Sequence, residues 1–434
     1  MIELKDKKNC CGCVSCVQKC PKHCISLIED EEGFLYPKVD LETCIDCGLC
    51  EKVCPVLNQD EKHEPLAVYA ATNKDEEIRR NSSSGGVFTL LAEDVIRQGG
   101  IVFGARFNEK WEVIHSSVEN IRDIEQFRGS KYVQSKIGNT YYEASASLKE
   151  GRLVLFSGTP CQIAGLRKYL RKEYDNLLTV DFICHGVPSP GVFRTFLRDE
   201  INKAAIKGGR RNSVLLPCIP LVSGNDSLDC KELKIRSINF RDKRNGWKKY
   251  GFALELSKAS AEGEENTVLL SYKRVDKHPY MDGFLKDLYL RPSCYSCPAK
   301  CLSSGSDITL GDYWGIETLM QNVDDDKGVS VVITNTSKGQ DAIEAVKDGI
   351  KLYESGWNEL LPRNPALIHS AKLPANRSLF FENDGKTFDE KIKELCKVPF
   401  SMKNTISLLI QRIPRPLRTS VKYLLKKIGI IRSK

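Results

Sequence analysis

Residues 10–21 read CCGCVSCVQKCP and residues 44–55 read CIDCGLCEKVCP. Each run carries the spacing C-x2-C-x2-C-x3-C-P: Cys10, Cys13, Cys16 and Cys20 before Pro21, then Cys44, Cys47, Cys50 and Cys54 before Pro55. Such close spacing lets one tight loop wrap three thiolates around three iron corners of a [4Fe–4S] cubane, while the fourth cysteine crosses to the neighbouring cluster. The expected ligand sets are therefore Cys10, Cys13, Cys16 and Cys54 on one cluster and Cys44, Cys47, Cys50 and Cys20 on the other. A single run could hold zinc, but two full copies, each closed by Cys-Pro, favour iron and sulfide. The chemistry this implies is the movement of electrons one at a time.

Around these runs lies a chain of 434 residues, room for two or three domains and a large core. With 41% hydrophobic and 28% charged residues the composition is that of a soluble globular protein. No apolar run reaches the ~18 residues that span a bilayer, and the opening MIELKDKKNCC lacks the apolar core of a signal peptide. Eighteen cysteines in an unexported chain mean metal ligands and thiols rather than disulfides. A reducing cytoplasm, that of an anaerobe, is the expected setting. The net charge of +8 is unevenly placed: residues 397–434 hold ten basic and no acidic side chains. Without that tail the chain is near neutral, so its basicity is no argument for nucleic-acid binding.

Patterning divides the chain further. A ferredoxin-like α+β module is expected over 1–58, with two short extended stretches around Gly33, and a polar linker over 59–65. Beyond it, apolar strands alternate with amphipathic helices: strands at Leu66–Ala71 and Gly100–Phe107, a helix after Ser82, a buried strand at Arg152–Ser157, a Gly158–Gln162 turn, and a strand at Leu177–Ile183. Such alternation predicts an α/β domain with a mixed, partly parallel sheet, in two parts over 66–150 and 151–345. Residues 203–232 read as a loop-rich insertion carrying Cys218 and Cys230, and 235–275 as antiparallel strands. The span 346–396 reads as helical. In the tail, Val421, Leu424, Leu425 and Ile428 recur at helical spacing opposite Lys422, Lys426 and Lys427. A basic amphipathic helix of this kind can lie at the inner face of a membrane, dock on a partner, or pack on its own protein.

Cys161 and Cys184 each follow a predicted parallel strand, the edge where ligands of open α/β sheets collect. Cys294 and Cys297 form a C-x2-C pair with Cys301 close behind. Together they suffice for a third [4Fe–4S] cluster, although Cys161 and Cys184 taken singly read equally as buried thiols. Ser82–Phe88 puts small residues and free N–H groups at a helix start, which suits a phosphate or a plain cap. Arg128–Tyr132 and Arg241–Tyr250 are basic segments with aromatics, which suit a pyrophosphate or a solvated loop. Asp307–Gly315 reads as a strand into a tight turn. His185 suits a proton relay or a structural role. No Ser-His-Asp arrangement, Walker-type loop or well-formed GxGxxG is present.

Six strings occur in order: SSGGVF, RGSKYVQS, FSGTPCQIAGL, ICHGVPSP, RPSCYSC and DITLGDYWGI. Together they resemble the family of coenzyme F-420 hydrogenase and dehydrogenase beta subunits, with an N-terminal 2[4Fe–4S] extension, over roughly residues 1–345. The resemblance implies FAD and a cluster on one α/β domain, with electrons passed between clusters and a two-electron partner. It implies that Cys161, Cys184, Cys294 and Cys297 are the cluster cysteines, leaving Cys301 as an alternative ligand. Residues around FAD would be Ser84, Gly85, Gly86, Gly129, Ser130, Lys131, Thr159, Gly311, Asp312 and Trp314.

The expectation is thus a cytoplasmic iron–sulfur flavoprotein oxidoreductase with two N-terminal [4Fe–4S] clusters, a third cluster and FAD. Its partners would be ferredoxin or another redox protein and an unidentified small-molecule acceptor. The alternative is a non-enzymatic electron-transfer subunit of a larger redox complex.

Overall fold

Apolar runs of five or six residues, each followed by an amphipathic stretch, build one large mixed sheet. The computed structural model describes residues 1–207, 233–259 and 265–397. In chain order the strands are β1 Ile25–Glu29, β2 Leu35–Val39, β3 Ala67–Asn73, β4 Ile101–Phe107, β5 Val113–Val118, β6 Val154–Ser157, β7 Leu177–Phe182, β8 Leu233–Asp242, β9 Gly251–Ala259, β10 Glu265–Arg274, β11 Ile308–Asp312, β12 Ser330–Thr334 and β13 Ile350–Ser355. The main sheet has eight strands in the order β13-β3-β12-β11-β7-β6-β4-β5. Its centre is parallel, through the β4/β6, β6/β7 and β7/β11 pairs, and its flanks are antiparallel.

The centre is parallel because both faces are covered, and β6 and β7 are apolar almost throughout for that reason. Successive residues point to opposite faces. Val102, Leu155 and Leu178 meet Val87, Leu91 and Val95 of helix Val87–Arg97. Phe103, Phe156 and Leu177 meet Tyr141, Ile163 and Leu166 of helices Thr140–Lys149 and Pro160–Leu170. Strands β8, β9 and β10 make a separate three-stranded antiparallel sheet. It packs on helix Pro190–Lys207 through an aromatic cluster, with Phe240 and Phe252 edge to face at 5.0 Å between centroids.

The N-terminal module carries the β1–β2 hairpin, whose exposure alternates as expected for one covered face. It is tied to the body at several points. Ser15 Oγ donates to Gly165 O at 2.8 Å, Val14 packs into the Tyr141–Ile163 core, and Arg377 clamps Glu32 through both nitrogens at 2.6 and 2.5 Å. Lys168 pairs with Asp60 at 2.5 Å on the far side.

Three sequence readings change. The Gly158–Gln162 turn is already helix: Pro160 opens Pro160–Leu170, and Thr159 and Gln162 cap it reciprocally. Helix Pro190–Lys207 runs into the span read as a loop-rich insertion. The span read as helical from 346 includes β13, an edge strand paired with β3, which completes the main sheet. Cys218, Cys230 and the basic tail lie outside the described residues. Among the described residues no helix is long and apolar enough to cross a membrane.

Candidate functional site

The two cysteine runs fold as a repeat. Helix Ser15–Lys19 starts from Val14 at φ 58, and helix Leu49–Lys52 starts from Gly48, the matching position, at φ 68. A β-branched residue rarely adopts this left-handed backbone, so the first loop is held by its surroundings where the second uses glycine. The turns bring Cys20 to Cys44, Cys47 and Cys50, and all four line one small cavity with Ile25 and Val39. The Ile2 N–H points at Cys50 Sγ at 3.2 Å and the Asp46 N–H at Cys44 Sγ at 3.4 Å. Burial first, then the neighbouring thiols of Cys13, Cys10, Cys54 and Cys50, raise the pKa of Cys16.

The body gathers a third set. Cys161 lies in the first turn of helix Pro160–Leu170, Cys184 just past β7, and Cys294 and Cys297 at the turn Pro292–Ser296. Cys184 has Cys294, Cys161 and Cys297 as thiol neighbours and is raised mainly by burial. Burial likewise pushes Cys294 up to about 12, against a Val187 N–H that points at its Sγ from 3.4 Å. Cys301 stands apart in backbone role: it is left-handed at φ 58 and its N–H bonds Leu367 O. Among the described residues no three Cys, His, Asp or Glu side chains draw together as one bound ion needs. A cubane asks for something wider, one thiolate at each of four separated iron corners.

Two cysteines that the spacing rule passes over lie among these sets. Cys24 Sγ is 3.4 Å from Cys20 Sγ. Cys11 is buried between the N-terminal module and the body: its carbonyl accepts from Gln134 Nε2 at 3.0 Å, and it lines a small cavity with Cys161. Among these neighbouring thiols Cys11 is raised and keeps its proton, while its proximity lowers Cys161 and brings Cys13 to about 7.

A polar cluster forms where the end of β11 meets β8. Arg241, 4% exposed, donates to Asp312 at 2.9 Å and Tyr132 at 3.3 Å, and lies over Tyr250 at 3.9 Å. Asp312 also accepts from Trp247 Nε1 at 3.2 Å, and Trp247 stacks flat on Trp314 at 4.9 Å. Ser130 donates to Ser83 through its N–H at 2.6 Å and its hydroxyl at 2.8 Å. The next residue, Lys131, reaches the carbonyls of Gln126, Arg128 and Gly129, and burial lowers its ammonium to about 7. Lys243 behaves alike, bonded to Arg79 O and Lys327 O and lowered to about 8 chiefly by burial. Arg241 Nε is buried with no partner among the described residues. A buried donor left open in a cation-rich cluster fits an acceptor-rich, anionic group.

The expected flavin residues divide accordingly. Asp312 and Trp314 lie against Arg241, Ser130 joins it through Ser83, Lys131 turns back onto the carbonyls of its own loop, and Gly129 is open-sided at φ 79. Gly86 starts helix Val87–Arg97, and Ser84 donates to Val329 O at 2.9 Å. Gly85 and Gly311 serve packing: a Cβ would stand 2.3 Å from Ala71 O at the first and 2.6 Å from Ile183 Cδ1 at the second. Thr159 lies with the third thiol set, its Oγ1 3.2 Å from Cys161 Sγ.

This chain belongs to the family of coenzyme F420 hydrogenase/dehydrogenase beta subunits. The family's N-terminal region matches residues 68–140 and its C-terminal region residues 151–208 and 225–358, while a 4Fe-4S dicluster domain matches residues 9–58. It is similar to a subunit of the F(420)H(2) dehydrogenase of Methanosarcina mazei, 26% identical over 222 residues, 46% of this chain and 62% of that protein. It is also similar to the coenzyme F420-dependent sulfite reductase of Methanocaldococcus jannaschii, 24% identical over 367 residues, 81% of this chain and 48% of that protein. The chain thus spans only about half to three-fifths of these relatives. A chain of the F420-reducing [NiFe] hydrogenase complex from Methanosarcina barkeri matches 77% of this chain and 91% of itself at 18% identity and a TM-score of 0.42, too low to bear on function.

Proposed function

We propose that this chain is an iron–sulfur oxidoreductase that exchanges single electrons with a redox protein and pairs of electrons with a small molecule. Two [4Fe–4S] clusters would sit on the crossed N-terminal thiols and a third on Cys161, Cys184, Cys294 and Cys297. The observation that carries this reading is the gathering of Cys20 with Cys44, Cys47 and Cys50 around one small cavity, the fourth cysteine of one run beside three of the other. FAD, when bound, supplies the junction between one-electron and two-electron chemistry.

The chain's own contribution is binding. Arg241 offers a charged guanidinium with an open N–H, and the start of helix Val87–Arg97 adds its dipole, a set suited to the pyrophosphate and carbonyl groups of FAD. The Trp247–Trp314 stack gives that cluster a flat wall, and Asp312 fixes both Arg241 and Trp247. Cys47 is the exposed cysteine of its set, so a protein partner would approach on that side.

Anaerobic purification with iron, sulfide and flavin quantitation on one sample tests the reading. About twelve irons and one flavin per chain are expected, four irons to each of three clusters. About eight irons without flavin would overturn it in favour of an electron carrier. Two-electron partners are then screened, beginning with the F420 deazaflavin for which the relatives are named.

A further inference from the structure

Arg291 is a cation from the body buried inside the N-terminal module. It is 1% exposed, and every donor it uses crosses between the two parts or braces one that does. Its Nε donates to Cys10 O at 2.7 Å, Nη1 to Gln134 Oε1 at 2.9 Å, and Nη2 to Leu35 O at 3.0 Å and to Cys10 Sγ at 3.5 Å. Its plane lies over Tyr36 at 4.3 Å. Gln134 in turn donates to Cys11 O at 3.0 Å. Gly12 is what lets the guanidinium in: a Cβ there would stand 2.8 Å from Nη1 and 2.6 Å from Gln134 Nε2.

Among the described residues Arg291 has no carboxylate within ion-pair distance. Its oxygen partners are all neutral. A buried charge without a counter-charge is costly enough that proteins rarely keep one. The anion within its reach is sulfur: the Cys10 thiolate and the cluster that, on the reading above, it ligates.

We infer that Arg291 is a positioning residue that sets the reduction potential of the Cys10 cluster, raising it above what its thiolates alone would give. Reduction adds one negative charge to a cluster, and a fixed cation with an N–H aimed at a ligating sulfur stabilises the reduced form more than the oxidised one. The same segment continues to Cys294 and Cys297, so one stretch of chain tunes one set of thiols and supplies half of the next. Because the cation comes from the body, the potential depends on the module being docked.

The inference rests on Cys10 ligating a cluster, and the test separates the two. Full-length wild type, R291K, R291Q and Q134E are purified anaerobically, counted for iron, and titrated potentiometrically by EPR. In R291Q one cluster potential falls while the others hold, with R291K between it and wild type. Q134E keeps Arg291 but places a carboxylate against it, so the same potential falls, and it covers the case where R291Q sheds iron. If iron-replete R291K and Q134E both titrate as wild type, the inference is overturned while the cluster assignment stands. Wild type lacking the Cys10 cluster would instead remove the assignment beneath it.

Discussion

Cys11 and Cys161 line one small cavity at the boundary between the N-terminal module and the α/β body. A protonated thiol so placed shortens the gap between two sets of thiolates without joining either. Cys11→Ala is therefore expected to keep the full iron content, whereas Cys13→Ser loses about four irons, one cluster's complement. In Cys11→Ala, freeze-quenched EPR should show slower reduction of the body's cluster by electrons delivered to the module. Loss of a whole cluster in that variant would mean that Cys11 is itself a ligand.

Arg241 is the hub of the polar cluster, bonded to Asp312 and Tyr132 and stacked on Tyr250. Removing it leaves the half-buried Asp312 beside Trp247 with one partner fewer. Hydrogen bonds to charged groups are worth about 1.5–3 kcal/mol, so Arg241→Ala should weaken flavin retention by roughly tenfold to a hundredfold. Flavin fluorescence released on denaturation, normalised to iron, measures it. An unchanged flavin-to-iron ratio would place the cofactor elsewhere.

What the sequence revealed and what it hid follow one physical division. Local spacing was enough for the two cysteine runs, and buried parallel strands announced themselves as apolar runs ending at Cys161 and Cys184. Contacts between distant segments were not legible. Arg291 reaches Cys10 across 281 positions, and Asp312 meets Arg241 across 71. Cys11 and Cys24 look like filler in a spacing rule and acquire partners only once the loops close. Strand β13 escaped because it is an edge strand with only Ile350 buried, and Lys351 and Glu354 break up its apolar signal.

Docking of the module depends on a close approach at Gly165. A Cβ there would stand 2.7 Å from Cys13 Cβ and 2.9 Å from Ser15 Oγ. Forcing a methyl into such a contact costs about 1–3 kcal/mol. Gly165→Ala should therefore loosen the module rather than unfold the sheet, and limited proteolysis should cut faster within residues 59–65. Wild-type protection in that variant would show that the interface yields without separating.

Stability should fall on mild acidification, for reasons that can be signed. Burial holds His115 at about 4 and His278 at about 3, so both are neutral in the fold and charge readily once it opens. Between their unfolded value near 6.5 and those lower values the unfolded chain binds more protons, so stability present above pH 6.5 is lost as the pH falls. For His115, buried with Nδ1 unpartnered, the loss is about 3 kcal/mol. Asp181 opposes this: burial raises it to about 6, so its contribution is greatest below its unfolded value and is lost as the pH rises through 6. Two histidines outweigh one aspartate, and the net slope favours unfolding by acid. His115→Gln should flatten the decline in melting temperature between pH 6.5 and 4, and Asp181→Asn should steepen it. Comparing each variant with wild type cancels the acid lability common to all clusters, and superimposable profiles would remove both groups from the account.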